Sequence, residues 1–366
     1  MQIHAAVLDA PGKPFSIRPL RLDEPQAGEV LVQVKAVGVC HSDWHVATGA
    51  TKHPMPVVTG HEAAGIVRAV GPGVNDLAIG DHVILNWAPA CGECFYCRHD
   101  KANLCDTYTA PIWAGTMLDG STRLHEADRP VYSYCGLAAF ADHTVVIRQS
   151  CVKMRKDVPF EIAALIGCAV ATGVGAAMFT AKVEKGQSVA VIGCGGVGLS
   201  CIQGALLCGA STIIAIDVNQ AKLQYARKLG ATDAIAPSDK SVEEVRKLTG
   251  GRGVDHSFEA VGVPSLQELA FKLARPGGTV TLAGLSAMGS STNLPGAVIV
   301  REEKTVKGSY YGSVNPQRDF PTLLDLYVAG KLKLDALVSS TFPLAQINAA
   351  YAQMLSGSSA RGVIVF

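Results

Sequence analysis

The stretch Ser188–Asp217 constrains the fold more than any other part of this 366-residue chain. It contains a short apolar run, three glycines in the spacing G-x-G-x-x-G, an apolar helical pattern, a second apolar run and an acid. The glycines are Gly193, Gly195 and Gly198, and the acid is Asp217. Such glycines allow a tight turn, close approach of the backbone to a pyrophosphate and close helix–strand packing, while the helix N-terminus offers free N–H groups. The pattern predicts a dinucleotide site; a purely structural glycine turn is the alternative.

A change of pattern along the chain predicts two domains. Residues 1 to about 160 show short alternating strands broken by Gly and Pro turns, which is typical of an irregular, mostly β domain. From about residue 185, strands alternate with helical patterns, which predicts an α/β fold with a doubly wound, six-stranded parallel sheet. The predicted strands of this sheet are Val189–Ile192, Thr212–Ile216, Asp233–Ile235, Val254–Glu259, Thr279–Ala283 and Thr305–Tyr310. A helix at Pro321–Ala329 and a last apolar run, Gly362–Phe366, follow, and the run is expected to return to the first domain.

Composition excludes several classes of partner. A net charge of +1, with 17% charged and 48% hydrophobic residues, argues against a nucleic-acid or acidic-membrane partner. The uncharged stretches Ile162–Ala181 and Gly186–Ile216 are long enough to cross a membrane, but they are rich in Gly, Ala and Thr, and the second contains the glycine turn. The N-terminus lacks the pattern of a secretory signal. We expect a cytoplasmic protein with no membrane partner.

Four of the eleven cysteines form a cluster with metal-binding spacing. Cys91, Cys94, Cys97 and Cys105 give C-x₂-C-x₂-C-x₇-C. Four thiolates at this spacing can hold a tetrahedral zinc ion whose role is structural, because no position is left for a substrate. An iron–sulfur cluster and a pair of disulfides are the alternatives.

Three further residues, Cys40, His61 and Cys168, are scattered along the chain, each beside a predicted strand or in an apolar run. Taken singly, each has an ordinary structural interpretation, as a small buried thiol or a satisfied polar histidine. Their order matches a known pattern. With Gly60-His61-Glu62-x₂-Gly65-x₅-Gly71-x₂-Val74, the four-cysteine loop and the glycine turn, the chain resembles the zinc-dependent medium-chain alcohol dehydrogenases over almost its whole length.

The resemblance implies a GroES-like, β-rich catalytic domain at 1–169 that carries the structural zinc loop. It further implies a Rossmann NAD-binding domain at 170–310 and a C-terminal segment, 311–366, that returns to the catalytic domain. The implied cofactors are NAD and two zinc ions per chain, one catalytic and one structural. The implied partners are a small alcohol or aldehyde and, because the insertion Gly115–Gly136 resembles that of the dimeric members, a second copy of the chain.

The same resemblance assigns the catalytic zinc to Cys40, His61 and Cys168, with water or the alcohol oxygen as fourth ligand. Asp43 would orient His61 through its other ring nitrogen, and Glu62 would be an acid close to the metal.

Proton release is assigned to Ser42 and His45, although a plain surface imidazole is the alternative for His45. The residues implied in cofactor binding are His41, Thr172, Gly193, Gly195, Gly196, Val197, Gly198, Asp217, Lys222, Ala283, Gly284, Leu285 and Arg361. Among these, Thr172 and Val197 would press on the nicotinamide, and Arg361 would contact the pyrophosphate. The residues implied in the substrate pocket are Trp87, Ile112, Trp113, Tyr134 and Cys135.

Two departures from the family pattern refine these expectations. His41 stands where many members have an arginine facing the pyrophosphate, so we expect weaker binding and faster release of NADH. The segment Asp106–Thr116 contains no Lys or Arg, which disfavours substrates that are formaldehyde adducts of acidic thiols. The leading hypothesis is an NAD-dependent dehydrogenase of hydrophobic or aromatic primary alcohols. The alternatives are a thiol-adduct formaldehyde dehydrogenase and a non-enzymatic regulatory protein that binds zinc and a nucleotide.

Overall fold

The computed structural model describes residues 1–357 and 360–366, and the chain forms two compact units. The first unit comprises Met1–Cys168, Asn315–Gly330 and Val338–Phe366, and the second comprises Ala169–Val314 and Lys331–Leu337. The short piece Lys331–Leu337 therefore groups with the second unit rather than with the rest of the C-terminal segment.

The first unit is built on a closed barrel and a seven-stranded sheet. The barrel strands, in spatial order, are Gln2–Leu8, Ser16–Leu22, Leu124–Glu126, Arg129–Ser133 and Val57–Val58. The sheet strands, in spatial order, are Cys151–Met154, His82–Leu85, Ala63–Val70, Glu29–Gly38, Arg361–Val365 and Val338–Pro343, with His143–Ile147 also paired to Glu29–Gly38. The α-helices of this unit are His41–Thr48, Phe95–Arg98, Asp106–Ala114, Phe160–Leu165, Pro316–Val328 and Ile347–Ser356.

The C-terminal strand Arg361–Val365 occupies an inner position of that sheet. It runs antiparallel to Glu29–Gly38, with Val363 opposite Gly38, and parallel to Val338–Pro343. The consecutive β-branched residues Val363, Ile364 and Val365 favour this extended conformation, and both Val363 and Ile364 are fully buried. The last residues of the chain thus belong to the core of the first unit.

The second unit contains a six-stranded, all-parallel sheet, which confirms the predicted fold class. Its strands, in spatial order, are Asp233–Ile235, Thr212–Ile216, Ser188–Ile192, Val254–Glu259, Ala274–Leu282 and Thr305–Gly308. Its α-helices are Ala171–Gly175, Gly196–Leu207, Gln220–Lys228, Ser241–Leu248, Pro264–Leu273 and Gly296–Arg301. The strand order places the glycine turn after the central strand, where the order reverses and a doubly wound sheet binds its ligand.

Five predicted elements differ from the observed ones. The strand predicted at Val189–Ile192 begins at Ser188, and the last apolar run, predicted at Gly362–Phe366, is the strand Arg361–Val365. The strand predicted at Thr305–Tyr310 ends at Gly308, because Tyr311 begins a run of left-handed backbone. The strand predicted from Thr279 begins at Ala274. The helix predicted from Pro321 begins at Pro316, where a proline is well tolerated because the first-turn N–H groups have no helical partner.

A continuous helical stretch of 22 residues runs from Phe160 to Ala181 and includes two π-helical segments, Ile166–Val170 and Ala176–Ala181. In the described part of the chain, it is the one helix long and apolar enough to cross a membrane, and 89% of its most apolar window is buried within the protein. Gly186–Ile216, the other apolar stretch, is a strand, turn, helix and strand. The π segments matter because such bulges re-aim side chains and are frequent at functional sites. Cys168 lies in the first.

Candidate functional site

Cys40, His61 and Cys168 lie together in the first unit, as predicted. Cys40 directly precedes the helix His41–Thr48, His61 lies just before the strand Ala63–Val70, and Cys168 lies in the first π-helical segment. One ligand atom from each lies within 4.8 Å of the others, and all three residues are buried. Residues that are 107 positions apart in the chain therefore form one donor set.

This donor set fits a zinc ion. His61 Nε2 lies 3.3 Å from Cys168 Sγ, close to the ~3.5 Å expected between an imidazole nitrogen and a thiolate sulfur on tetrahedral zinc. A hydrogen bond with the Cys168 thiol holds the pKa of Cys40 well below its usual value, and the positive charges of Arg361 and His61 act in the same direction. Three ligands leave one position for a small molecule, which is the arrangement of catalytic rather than structural zinc.

Asp43 fixes the orientation of the His61 ring. Its Oδ2 lies 3.0 Å from His61 Nδ1, and its Oδ1 accepts a 2.7 Å hydrogen bond from the Gly60 N–H. Burial disfavours the charged imidazole, but the Asp43 carboxylate and the two thiols raise the pKa of His61 well above its ordinary value. With Nδ1 directed at Asp43, Nε2 remains for a metal.

Glu62 and Arg361 form a buried ion pair beside this set. Arg361 Nε donates to Glu62 Oε1 at 3.3 Å, and its Nη2 donates to Oε2. Burial raises the pKa of Glu62 to about 7, and the Arg361 charge opposes that shift. Sequence analysis assigned Arg361 to a pyrophosphate but did not foresee this pairing. The phosphate role of Arg361 stays a prediction.

The predicted proton-release residues lie on the helix His41–Thr48. Ser42 Oγ lies 3.7 Å from Cys40 Sγ, while the Ser42 carbonyl accepts a 3.4 Å hydrogen bond from the Tyr134 hydroxyl. His45 is half-buried in the last turn, and His41 is exposed at the start of the helix. Ser42 is therefore adjacent to the donor set, and a relay through His45 stays a prediction.

The predicted pocket residues belong to, or pack against, one hydrophobic cluster of the first unit: Trp87, Ile112, Trp113, Tyr134 and Cys135. Two of their rings approach His61 edge-on, at centroid distances of 5.7 Å for Tyr134 and 6.4 Å for Trp87. Trp113 lies 6.1 Å from Tyr134. The surroundings of His61 are thus aromatic, which suits an apolar ligand.

The four-cysteine loop forms a second candidate metal centre. The four sulfurs lie within 4.8 Å of one another, with Cys91–Cys97 and Cys94–Cys105 both at 3.9 Å. Tetrahedral zinc with ~2.3 Å bonds separates sulfurs by ~3.8 Å, so the spacing fits one zinc ion rather than an iron–sulfur cluster. The Thr107 hydroxyl donates to Cys91 Sγ at 3.3 Å and lowers the pKa of Cys91 to about 6. All eleven cysteines are free, and the 3.9 Å sulfur separations are far longer than the ~2.05 Å of a disulfide bond, so the geometry favours a metal over the disulfide alternative.

In the glycine turn of the second unit, one glycine has open space where a side chain would lie, and another has none. Gly193 has φ +90°, a value that favours glycine, and a Cβ at Gly198 would overlap the Gly193 carbonyl oxygen. A Cβ at Gly195, in contrast, would meet no protein atom within 4 Å. Gly195 also precedes the helix Gly196–Leu207, whose N-terminus has no side-chain cap. Open space next to uncapped N–H groups fits a pyrophosphate.

Asp217 ties the end of its strand to the turn. Its Oδ2 accepts a 2.7 Å hydrogen bond from the Cys194 N–H, and its Oδ1 accepts a 2.8 Å bond from the Asn219 N–H. Asn219 caps the next helix through bonds from Ala221 and Lys222 N–H groups. This places Asp217 beside the turn, with Lys222 in the adjacent first helical turn.

Glu259, which sequence analysis missed, organises the segment that contains Ala283, Gly284 and Leu285. Its carbonyl oxygen accepts hydrogen bonds from Ala283 N at 2.8 Å and Gly284 N at 2.9 Å. Its buried side-chain Oε1 accepts from the N–H groups of Val261 and Gly262. The sequence signal for this role is that Glu259 is an acid at the carboxyl end of the predicted strand Val254–Glu259.

The remaining predicted cofactor residues differ in exposure. Thr172 is buried in the helical stretch, Val197 is half-buried after the turn, and Leu285 is exposed. Their contact with a nicotinamide stays a prediction.

Comparisons with known proteins agree with this geometry. A family model described as "Alcohol dehydrogenase GroES-like domain" matches residues 26–156, and one described as "Zinc-binding dehydrogenase" matches residues 196–329. The chain is 41% identical to an NDMA-dependent alcohol dehydrogenase of Amycolatopsis methanolica over 100% of this chain and 99% of the relative. It is 39% identical to an S-(hydroxymethyl)glutathione dehydrogenase of Synechocystis sp., over 100% of both chains.

Among solved structures, the benzyl alcohol dehydrogenase of Acinetobacter calcoaceticus is similar with a TM-score of 0.94 and 32% identity, over 100% of this chain and 99% of that one. These three relatives are enzymes, and each of them matches both units of this chain. The comparisons therefore do not support the alternative of a non-enzymatic binding protein. The chain belongs to the zinc-dependent medium-chain alcohol dehydrogenase family.

Proposed function

We propose that this enzyme oxidises hydrophobic or aromatic primary alcohols to aldehydes with NAD as hydride acceptor, and catalyses the reverse reaction. The observation that carries the proposal is the buried Cys40–His61–Cys168 donor set, which lies among aromatic rings and leaves one ligand position free. Aromatic side chains around that position favour an apolar or aromatic substituent on the carbon that reacts. The relationship to a benzyl alcohol dehydrogenase supports this substrate class.

Zinc, when bound by these three residues, would supply Lewis acidity that lowers the pKa of an alcohol hydroxyl toward neutrality. Asp43 holds the His61 ring by a 3.0 Å contact, which keeps Nε2 directed at the donor set. The Ser42 hydroxyl, 3.7 Å from Cys40 Sγ, would accept the alcohol proton and pass it toward solvent by way of His45. The buried apolar cluster around Tyr134 would keep water away from the reacting carbon.

The second unit would bind NAD. The backbone at Gly195 and the N-terminus of Gly196–Leu207 would hold the pyrophosphate, and the Asp217 carboxylate would bind the adenosine ribose. Thr172 and the segment 283–285 would flank the nicotinamide. We further infer two zinc ions per chain, one in each cysteine-containing cluster.

Replacement of Asp217 by Asn should reduce the preference for NAD over NADP about tenfold or more. The carboxylate repels a 2′-phosphate, and a neutral amide of the same shape does not. The measurement is kcat/KM with each cofactor. Asp233→Asn is the matched control, because Asp233 begins a strand at the amino end of the same sheet and should leave the ratio unchanged. An unchanged ratio in Asp217→Asn would contradict the ribose role.

A screen of substrates tests the reaction itself. Initial rates of NADH formation would be measured with benzyl alcohol, a short primary alcohol, a secondary alcohol and a polyol. We expect benzyl alcohol to give the highest kcat/KM and the polyol the lowest. A polyol preference would overturn the substrate class, and no NAD reduction with any alcohol would overturn the function.

Oxidation of a formaldehyde–thiol adduct is a second candidate, favoured by the 39% identity to an S-(hydroxymethyl)glutathione dehydrogenase. The helix Asp106–Ala114 carries no Lys or Arg that could pair with an acidic thiol. Oxidation of formaldehyde only in the presence of a low-molecular-weight thiol, faster than that of benzyl alcohol, would establish this alternative.

We also propose a cytoplasmic homodimer. Eleven free cysteines suit a reducing compartment. The strand Thr305–Gly308 forms one edge of the parallel sheet and is at most half-buried, so it is open to pairing with a second copy.

A further inference from the structure

A loop with unusual backbone follows the edge strand Thr305–Gly308. Tyr311, Gly312 and Ser313 all have left-handed φ values, of 55°, 64° and 57°. Two of these residues carry side chains, for which this conformation is strained. Such backbone persists only where surrounding contacts impose it, so the contacts of this loop identify what holds it.

Part of the restraint on this loop is its backbone packing against residues 171–175 of the helical stretch, which belong to the same unit. A Cβ at Gly312 would overlap the Ala171 carbonyl oxygen, and a Cβ at Gly175 would come within 2.5 Å of the Gly312 carbonyl oxygen. The loop and the helix are thus in contact with no room for side chains between them. The same face of the helix carries the Thr172 carbonyl, 2.8 Å from the Gly312 Cβ position.

The rest of the restraint is a cluster of three hydroxyls, of which those of Thr180 and Ser309 are buried and that of Ser313 is half-buried. Thr180 Oγ1 lies 2.9 Å from Ser309 Oγ, two residues before the left-handed run, and 2.8 Å from Oγ of Ser313, the last residue of that run. A hydroxyl has one proton and two lone pairs, so Thr180 can donate to one serine and accept from the other. Lys307 Nζ also donates to the Thr180 carbonyl at 3.3 Å. Thr180 therefore holds both ends of the loop.

The place of this loop in the unit points to a ligand. It follows the carboxyl end of a strand in a parallel sheet, which is the edge where such sheets bind ligands. Ser309 N donates to Leu282 O at 2.9 Å, so the loop begins directly beside the segment 283–285. It also packs on the helix next to Thr172. Both neighbours belong to the proposed nicotinamide end of the cofactor site.

We propose that Thr180 is a positioning residue for the nicotinamide: through Ser309 and Ser313 it holds the loop 310–313 in the shape that the nicotinamide half of the cofactor needs. This inference rests on the proposed function. Thr180 would not touch the cofactor itself. The proposed adenosine and pyrophosphate contacts, at Asp217 and the glycine turn, lie on other elements and involve none of the three hydroxyls.

Binding of two nucleotides to the Thr180→Val variant tests the inference. Valine has nearly the same shape and lacks the hydroxyl. We expect the Kd for NADH to rise roughly tenfold, because two hydrogen bonds that hold strained backbone are lost. The Kd for ADP-ribose, which has no nicotinamide, should stay within about twofold of the wild-type value. Both constants are measured by titration of the purified full chain.

Two further variants distinguish loss of the Thr180 hydroxyl from a general effect of substitution. Thr180→Ser retains the hydroxyl and should bind NADH like the wild type. Thr232→Val is the matched control, because the Thr232 hydroxyl bonds the backbone of Ile213 at the amino end of the sheet and should affect neither nucleotide. Equal weakening of NADH and ADP-ribose in Thr180→Val, or no weakening of either, would overturn the inference. A wild-type protein that binds neither nucleotide would instead overturn the proposed function.

Discussion

Cys40→Ala should lower kcat/KM for benzyl alcohol by about a thousandfold or more while the protein stays folded. Lewis-acid assistance by a metal is worth several kcal/mol, and each ~1.4 kcal/mol changes a rate tenfold. Cys40 and Cys168 are the two sulfur donors of the set, and loss of either leaves two ligands for the ion. The measurements are kcat/KM, metal analysis and circular dichroism. We expect the zinc content to fall from two ions per chain to one.

The matched control for this experiment is Cys151→Ala. Cys151 is fully buried in the same unit, and burial raises the pKa of its thiol to about 12. It belongs to neither metal-binding cluster, so its loss should remove a little packing and leave zinc content and turnover unchanged. Wild-type turnover in Cys40→Ala would refute the catalytic metal.

Cys97→Ala should lower the thermal stability of the protein. The described part of the four-cysteine loop contains only short helices, Phe95–Arg98 and Ala102–Leu104, and exposes Phe95, so it has little apolar core of its own. Structural zinc contributes on the order of 10 kcal/mol to the folding of small zinc modules. We therefore expect the variant to lose one zinc and to unfold at a clearly lower temperature, with proteolysis starting in this loop.

Cys208→Ala serves as the control, because Cys208 is a half-buried free thiol at the end of a helix in the second unit. It should retain two zinc ions and a wild-type melting temperature. If Cys97→Ala retained both ions and melted like the wild type, the cluster would not be a structural zinc site. Addition of a strong chelator to the wild type should reproduce the Cys97→Ala melting curve and, in addition, abolish turnover.

Local patterns predicted the parallel sheet closely. Three of its strands were predicted with the bounds that the structure shows: Thr212–Ile216, Asp233–Ile235 and Val254–Glu259. Thr212–Ile216 is a short apolar, β-branched run. The other two are more polar and were predicted from the alternation of strands with helical patterns. The strand that begins at Thr305 was predicted two residues too long, because tyrosine has high strand propensity. Tertiary contacts hold the next residue, Tyr311, in left-handed backbone. Propensity is a local quantity and cannot report such contacts.

The candidate ligands of the catalytic metal could be predicted from the sequence only because Cys40, His61 and Cys168 occur in the order of the family pattern. Nothing local distinguishes Cys168 from Cys201, since both lie in apolar helical runs and both are buried. The pairing of Arg361 with Glu62 was not predictable either, because 299 residues separate them and each has other plausible partners. The hydroxyl cluster around Thr180 was missed because Ser and Thr in an apolar stretch carry no signal until the strands are paired.

The position of the strand Arg361–Val365 also has a consequence for how the protein is made. This strand lies between Glu29–Gly38 and Val338–Pro343, so Val338–Pro343 cannot join the sheet of the first unit until residues 361–365 have been synthesised. Residues 169–314, in contrast, are complete much earlier in synthesis and can fold while translation continues. Until residues 361–365 have been synthesised, Ala36–Gly38 have no partner on the side that Val363–Val365 later occupy, whereas Glu29–Gln33 can already pair with His143–Ile147. We therefore expect the second unit to fold before the sheet of the first unit is complete.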